Sequence, residues 1–464
     1  MVDLEIESLA LGGKGVAHVD GYAVFVRRAL PRQRVRVQIV RPKKSFAEAR
    51  VLEILKHSPE EVVPPCQYFG TCGGCLLQNL SYDAQLQQKQ SQVEETIKFL
   101  GGFDPVPLLP ILPSPDIFFY RNKMEYSFSP LRWLSREEID SENEIERNFA
   151  LGLHVPNVYD KVVDIHQCHL LSEQSNELLN FIRDFSKNSR FEPYTTKSHT
   201  GYWRFLVFRE TQDKTQIMIN IVTADDAGGN KAVEKMAKQI QEKFPFVTTM
   251  VHNINRKKAQ IAFGDEERVL FGKGFIEERL GNRTFRISAN SFFQTNSRQA
   301  ERLYELVVER GDFRGNEIVY DLYSGTGSIG IFIADKVKKV VGFEIISAAI
   351  RDAQENAKLN HIDNCEFVLG DIKDQVLNTE ELKKKFGAPD VVIIDPPRSG
   401  MHPKVPGKII ELSPEKIIYV SCNPATLARD LKILCEKEYR LISVQPVDMF
   451  PHTAHVETVA VLTK

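Results

Sequence analysis

Apolar runs and helical periodicity alternate along the last third of the chain. The runs that predict strands are 318–322, 339–343, 366–369, 391–394 and 416–420. Helices are predicted before and between them, for example at 298–309 and 348–360. Strands that are apolar on both faces and separated by helices are typical of a parallel sheet covered on both sides. Two further runs, 441–447 and 457–462, have only a loop between them, which predicts an antiparallel hairpin that closes the sheet.

The pattern nearer the N-terminus is different. Residues 1–58 contain short β-rich runs separated by turns such as Gly12-Gly13 and Asp20-Gly21, which predicts a small β-barrel. Prolines then lead into a central α+β domain, which we place at 59–285. It includes a helix at about 82–100, rich in Gln and Lys, that could pack on the catalytic domain. The C-terminal α/β domain, of the doubly wound type, is placed at 286–464.

Charge is distributed unevenly along the chain. The net charge of -2 does not by itself indicate a nucleic-acid binder. Between residues 27 and 50, however, nine Lys or Arg stand against one acid, Glu48. A local basic run of this kind is typical of phosphate contact, although a solvated charged face is an equal alternative.

Membrane and export signals are missing from the sequence. No run of 18 apolar residues is present, and the N-terminal residues are acidic and lack the apolar region of a signal peptide. We therefore expect a cytoplasmic protein with no membrane partner. We also expect a monomer.

A glycine loop follows the first strand of the C-terminal domain. Gly325 and Gly327 allow a tight turn and close approach of a ligand at the start of a helix. Glu344 ends the second strand, where an acid can accept both ribose hydroxyls of a nucleoside. Asp371 ends the third, where it could meet an adenine amino group. A dinucleotide enzyme is the competing interpretation, but the ordered set of loop, Glu344, Asp371 and Asp395 favours an S-adenosylmethionine-dependent methyltransferase.

Two motifs that bear chemistry end the next strands. Asp395-Pro-Pro-Arg398 has Arg398 where amino-group methyltransferases place an aromatic residue, which argues against an exocyclic amine as the target. Ser421-Cys422-Asn423-Pro424 places a thiol at the same edge of the sheet. Carbon 5 of uracil is a poor nucleophile, but thiolate attack on carbon 6 gives an enolate that can accept a methyl group at carbon 5. Cys422 is the candidate nucleophile, and a small buried hydrophobe is the alternative.

Such a reaction also needs a base to remove the proton from carbon 5. Glu457 begins an apolar strand, where an unpaired carboxylate would be costly, so it is the first candidate. His455 is the second.

The seven cysteines are an odd number, which argues against a disulfide framework. Cys66, Cys72 and Cys75 lie within ten residues, and Cys168 could be a fourth ligand brought in by folding. Four thiolates can hold zinc or an iron–sulfur cluster. Because zinc sites usually come as two close pairs, the spacing favours a [4Fe–4S] cluster over zinc.

These motifs together resemble the bacterial 23S ribosomal RNA uracil-5-methyltransferases, sisters of the enzyme that makes ribothymidine in the tRNA T-loop. The resemblance extends over nearly the whole chain. It implies a class I, Rossmann-like methyltransferase domain, an N-terminal RNA-binding TRAM domain and a [4Fe–4S] cluster on the four cysteines. It implies Cys422 as nucleophile and Glu457 as proton acceptor. The positions that it assigns to S-adenosylmethionine are Gln294, Tyr323, Ser328, Glu344, Asp371 and Asp395, although some members have asparagine where Ser328 stands.

Three hypotheses therefore remain at the level of sequence. The first is methylation of a uridine in 23S rRNA, because the tRNA enzyme of enteric type lacks both the TRAM domain and the cluster. The second is the same chemistry on tRNA. The third is a non-catalytic RNA-binding or ribosome-assembly protein that keeps the fold.

Overall fold

The structure is a computed structural model that describes residues 1–141, 145–156, 158, 160–375 and 378–464. The chain divides into two compact units. The first unit contains residues 1–64, 76–117 and 299–464, and the second contains residues 65–75 and 118–298. No helix among the described residues is both long enough and apolar enough to cross a membrane.

The N-terminal strands of the first unit form a barrel-like sheet, as the sequence predicts. They are β1 (Val2–Glu5), β2 (Ser8–Leu9), β3 (Gly15–Val19), β4 (Tyr22–Arg27), β5 (Arg34–Pro42) and β6 (Phe46–Lys56). Their order is β1-β5-β6-β4-β3-β2, with β4 and β6 parallel and the other neighbours antiparallel. In β5, Val35 and Val37 are fully buried. The alternation of a strand therefore turns Arg34 and Arg36 away from this core.

The long helix α1 (Tyr82–Gly101) follows in the same unit. It ends at Gly102, whose positive φ of 78° suits a glycine and whose N–H donates to the Lys98 carbonyl at 3.0 Å.

The second unit is α+β, as predicted for the central part of the chain. Its strands are β7 (Lys123–Ser129), β8 (Ala150–His154), β9 (Val162–Asp164), β10 (Trp203–Glu210), β11 (Ile217–Thr223), β12 (Val247–Ile254), β13 (Glu266–Phe271), β14 (Phe275–Leu280) and β15 (Arg283–Ser288). Its helices are α2 (Arg136–Asp140), α3 (Glu173–Lys187) and α4 (Ala227–Lys243). One sheet has the order β13-β12-β11-β10-β7-β8-β9, and β14 and β15 pair as a hairpin.

The C-terminal part of the first unit is the predicted doubly wound α/β domain. Its strands are β16 (Ile318–Leu322), β17 (Lys339–Glu344), β18 (Cys365–Leu369), β19 (Val391–Ile394), β20 (Lys416–Ser421), β21 (Arg440–Val447) and β22 (Glu457–Thr463). The helices are α5 (Ser297–Gly311), α6 (Ser328–Ile333), α7 (Ser347–Leu359), α8 (Ile372–Gln375), α9 (Thr379–Phe386), α10 (Val405–Leu412) and α11 (Pro424–Cys435), with a 3₁₀ turn at Ala334–Lys336. The strand order is β18-β17-β16-β19-β20-β22-β21. Strand β22 is antiparallel to both of its neighbours, which confirms the closing hairpin.

Residues 76–117 pack against this C-terminal sheet. Val93 and Ile97 of α1 are fully buried in the same hydrophobic core as the central strands. The proline-rich segment that follows runs along the outer edge of β21. The Val444 N–H donates to the Pro107 carbonyl at 2.9 Å, and the Leu109 N–H donates to the Val444 carbonyl at 2.8 Å. The segment therefore occupies hydrogen-bonding groups that an edge strand would otherwise expose.

Candidate active site

The two candidate catalytic residues lie at the carboxyl edge of the C-terminal sheet. Cys422 directly follows β20, and Glu457 is the first residue of β22. The antiparallel register pairs Ser421 with Thr458, so Cys422 and Glu457 continue this pairing at the end of the two strands. Asp395 follows the neighbouring strand β19 and reaches the same edge, where its N–H donates to the Leu322 carbonyl at 3.2 Å.

Burial and mutual repulsion keep protons on these groups. Burial, then the carboxylates of Glu457 and Asp395, raise the pKa of the Cys422 thiol to about 11, while Arg398 acts to lower it. Burial and Asp395 raise the pKa of Glu457 to about 8, again against Arg398. Burial alone raises the pKa of Asp395 to about 7. A carboxyl group with a pKa near the working pH suits a general base, because it can both take up and release a proton.

Arg398 is held in place beside these groups. The Asn423 side chain donates to the Arg398 carbonyl at 2.9 Å, and its Oδ1 accepts the Ala425 N–H at 3.1 Å, which caps the start of α11. The guanidinium lies 3.4 Å from Nε2 of His455. One asparagine therefore ties the loop after β19 to the loop that carries Cys422.

Glu344 holds the glycine loop by hydrogen bonds to backbone N–H groups. One carboxylate oxygen accepts the Gly325 N–H at 3.0 Å, and the other accepts the Ile345 and Ile346 N–H groups at 2.8 Å each. Gly325 and Gly327 have φ values of 53° and 75°, which favour glycine. The acid expected to meet a ribose therefore also shapes the loop beside it.

Other predicted cofactor positions lie around the same loop. Tyr323 stands just before it, with a positive φ of 65°, and burial raises its pKa to about 12. The Ser328 hydroxyl lies 2.9 Å from the hydroxyl of Tyr304. Asp371 lies beyond the end of β18 and is paired with Lys373 at 2.9 Å, which lowers the pKa of Asp371.

Sequence reasoning gave no role to Asp321 and Tyr304. Asp321 is buried at the end of β16, and burial, then the nearby Asp395 charge, raise its pKa to about 8. Its Oδ2 accepts the Gly330 N–H at 3.2 Å, whereas Oδ1 has no hydrogen-bond partner. An acid directly before a glycine loop is the signal that could have found it. The Tyr304 phenol, on a helix with no recognisable motif, gave no such signal.

An apolar surface next to Glu344 was also missed. Ile345 and Ile346 follow β17, and Leu369 ends β18 opposite Glu344 in the register. All three are more than half exposed. Exposed aliphatic side chains beside a carboxylate at the end of a parallel sheet suit the flat ring of a nucleoside.

Gln294 belongs to the second unit, whereas the other predicted cofactor residues belong to the first. Asn122 holds its loop through a donated hydrogen bond to the Gln294 carbonyl at 2.9 Å. The Gln294 side chain is half-buried.

The four cysteines predicted as ligands all lie in the second unit, and each is partly buried. Burial, and then the nearby thiols of Cys168, Cys75 and Cys66, raise the pKa of Cys72 to about 12, while the Gly74 N–H, which donates to Cys72 Sγ at 3.4 Å, opposes this. Within the described ranges, no group of three or more His, Cys, Asp or Glu is arranged to hold a metal ion. The cluster therefore stays a prediction.

The basic run of the N-terminal sheet is only partly neutralised. Arg36 pairs with Asp3 at 2.8 Å and with Glu53 at 3.0 Å. Among the residues that the structure describes, no ion pair involves Arg28, Arg34, Arg41, Lys43 or Lys44. These five cations are available to an external polyanion.

Comparison with known proteins agrees with this geometry. The tRNA (Uracil-5-)-methyltransferase family matches residues 230–464, and the TRAM domain family matches residues 1–52. An RNA methyltransferase of Chlorobaculum tepidum, described as uncharacterized, is 43% identical over 445 residues, which cover 95% of this chain and 91% of that protein. A similarly described RNA methyltransferase of Porphyromonas gingivalis is 40% identical, with 99% of each chain covered.

One solved structure matches over the full length of both chains. It is the tRNA (uracil-54, C5)-methyltransferase of Pyrococcus abyssi in complex with S-adenosyl-L-homocysteine, with a TM-score of 0.76, 31% identity and 100% of each chain covered. This chain belongs to the tRNA (uracil-5-)-methyltransferase family, and is thus an S-adenosylmethionine-dependent RNA methyltransferase with an N-terminal TRAM domain.

Proposed function

We propose that this enzyme methylates carbon 5 of a specific uridine in 23S rRNA, with Cys422 as the nucleophile and Glu457 as the base. The observation that carries the proposal is the meeting of a thiol, the buried carboxyl group of Glu457 and the half-buried carboxyl group of Asp395 at the edge of a parallel sheet where ligands normally bind.

The reaction proceeds by addition and elimination. Once the Cys422 thiol has lost its proton to solvent, the thiolate bonds to carbon 6 of the uracil, and the electrons of the carbon 5–carbon 6 double bond move into an enolate. When bound, S-adenosylmethionine supplies an electrophilic methyl group on a sulfonium, which carbon 5 accepts. Glu457 then takes the proton from carbon 5, the double bond re-forms and the thiolate leaves. Arg398 favours the anionic forms of both residues.

The residues around the glycine loop would hold the methyl donor. Glu344 would accept ribose hydroxyls, Asp371 the adenine amino group, and the exposed Ile345 and Ile346 would lie along the ring. Tyr323, Ser328, Asp395 and Gln294 complete the proposed set. The two oxygens of Glu344 already order the loop amides, so the site is shaped before the nucleoside arrives.

We also propose that Cys66, Cys72, Cys75 and Cys168 hold a [4Fe–4S] cluster with a structural role. Support comes from the chemistry of the donor set, since the thiols of Cys66, Cys75 and Cys168 lie near enough to Cys72 to raise its pKa and the Gly74 N–H already donates to the Cys72 sulfur. Iron and acid-labile sulfide analysis of protein purified without oxygen tests the cluster. A Cys72→Ser variant with unchanged iron content would refute it.

The choice of RNA has two candidates. The TRAM domain and the cysteine set support ribosomal RNA, on the resemblance described above. The full-length likeness to an archaeal tRNA (uracil-54, C5)-methyltransferase favours tRNA as the second candidate. In both cases the uridine must leave its stack for a thiol to reach carbon 6.

Two experiments test the proposal. Incubation with labelled methyl donor and either total rRNA or total tRNA from a strain lacking the gene identifies the substrate class. Incubation with a substrate RNA that carries 5-fluorouridine should give a covalent complex stable in denaturing gels, because fluorine cannot leave as a proton does. The complex must disappear in Cys422→Ala. Its persistence there would refute the assignment of the nucleophile.

A further inference from the structure

Helix α1 reaches the loop between β21 and β22 through an ion pair sealed from solvent. This hairpin loop consists of residues 448–456. The Lys89 ammonium lies 2.6 Å from Oδ1 of Asp448, and the two side chains are 1% and 0% exposed. Lys89 also donates to the Phe450 carbonyl at 3.1 Å.

A second buried side chain of α1 holds the middle of the hairpin loop. Gln85 is fully buried, and its Oε1 accepts the His452 N–H at 2.9 Å while its Nε2 lies 3.1 Å from the His452 ring. The same amide nitrogen donates to the Leu77 and Leu80 carbonyls. His452 has a positive φ of 65°, which is unfavourable for a residue with a Cβ and requires such outside support.

Both ends of the hairpin loop lie next to the proposed base. The loop leaves β21 at Val447, which is paired with Glu457 in the sheet, and it returns at Glu457 itself. Within the loop, the Phe450 ring packs edge-on against His455 at 6.3 Å between centroids, and His455 lies 3.4 Å from Arg398. The loop therefore meets Glu457 at both of its ends and contacts, through His455, the arginine beside it.

Packing alone does not explain these polar contacts. Removing a lysine and an aspartate from water is costly, and apolar residues of similar volume often stabilise a core as well or better. A buried ion pair with fixed hydrogen bonds instead favours one defined arrangement of the two segments that it joins, here α1 and the hairpin loop.

We infer that Lys89 and Gln85 are positioning residues for the elimination step, holding the hairpin loop so that Glu457 meets the proton on carbon 5. The inference rests on the proposed function. A displaced base leaves thiol addition and methyl transfer possible but slows the removal of the proton. The methylated RNA then stays bonded to Cys422.

The test uses the full-length protein, a substrate RNA with ordinary uridine and labelled methyl donor. The variants are Gln85→Leu and the double variant Lys89→Met/Asp448→Asn, which removes both charges at nearly constant side-chain volume. Gln92→Leu is the matched control. It lies on the same helix and is also buried, but its amide donates to the Leu9 carbonyl at 2.8 Å rather than to the hairpin loop. Denaturing gels separate labelled RNA bonded to protein from free methylated RNA.

The positioning variants should raise the ratio of bonded to free methylated RNA by about tenfold to hundredfold over wild type, and Gln92→Leu should leave it unchanged. Lys89→Arg, which keeps a cation for Asp448, should restore most of the wild-type ratio relative to Lys89→Met. If bonded and free RNA fall together, the residues only stabilise the fold and the inference is wrong. The same holds if the control behaves like the variants.

Glu457→Gln separates this inference from the proposed function. If Glu457→Gln accumulates the bonded RNA and the α1 variants do not, only the positioning role fails. If Glu457→Gln itself accumulates none, the proposed base is wrong. Should the double variant fail to fold, Gln85→Leu alone decides the matter, because it removes no charge.

Discussion

Replacing Gly327 with alanine should destabilise the protein more than the same change at Gly325, two residues earlier in the loop. Both glycines have a positive φ, so both substitutions carry the backbone penalty of the left-handed region, about 1–2 kcal/mol. They differ in the space that a Cβ would find. At Gly325 nothing lies within 4 Å, whereas at Gly327 the new atom would lie 2.7 Å from the Phe367 ring and 3.0 Å from Ala353 Cβ.

The difference in stability between the two variants measures the packing contribution alone. Forcing a methyl group into a filled space costs typically about 1–3 kcal/mol. Gly325→Ala should therefore lose about 1–2 kcal/mol of unfolding free energy, and Gly327→Ala about 2–5 kcal/mol. Replacing the Phe367 ring with a smaller side chain should restore stability to Gly327→Ala only.

Urea denaturation followed by circular dichroism measures these free energies in the absence of cofactor. A double-mutant cycle with Phe367→Leu should show a favourable coupling energy with Gly327→Ala and about zero with Gly325→Ala. Equal losses in the two single variants, or equal coupling to Phe367→Leu, would show that the ring does not set the shape of the loop.

Three further predictions concern protons and caps. The value of kcat/KM should rise from about pH 6 to about pH 9, because Cys422 and Glu457 act without their protons and their pKa values are raised to about 11 and about 8; a flat profile would contradict this. The free energy of unfolding should fall by up to about 1.4 kcal/mol per pH unit as the pH rises from about 4 to about 8, because Asp321 ionises in the unfolded chain over this range but keeps its proton in the folded protein, where its pKa is raised to about 8. The Tm of Asp321→Asn should accordingly gain on wild type as the pH rises. Asn423→Ala should lose about 1–2 kcal/mol in urea denaturation and lower kcat, because it removes both a helix cap and the bond to Arg398; unchanged stability would refute the cap.

The strands of the C-terminal domain could be predicted to within a residue or two because they are apolar on both faces. Strand β6 was not recognised, although it is long. Its first inward positions are Ala47 and Ala49, which have a low preference for strands, and its parallel pairing with β4 joins residues distant in the chain. Local pattern carries no information about such a pairing.

The candidate site was predictable where residues follow strands of one parallel sheet. Cys422 and Asp395 were expected at one edge, and they lie there. Glu457 begins the antiparallel strand β22 and reaches the same edge through its pairing with β20, which the sequence did not predict. Their raised pKa values were not expected, since these depend on burial and on distances between separate loops. The roles of Lys89 and Gln85 could not be predicted either, because Lys and Gln in a helix are normally exposed.

The proline-rich segment along β21 also limits where the chain can be cut into stable fragments. A fragment that starts at residue 286 would contain every strand of the C-terminal sheet but would lose Pro107 and Leu109, the backbone hydrogen-bond partners of Val444. It would also uncover the apolar face that Val93 and Ile97 fill. Open strand edges recruit other strands, so such a fragment should aggregate, and a synthetic peptide of residues 76–117 should rescue its solubility. The minimal methyltransferase module of this protein is therefore discontinuous in sequence.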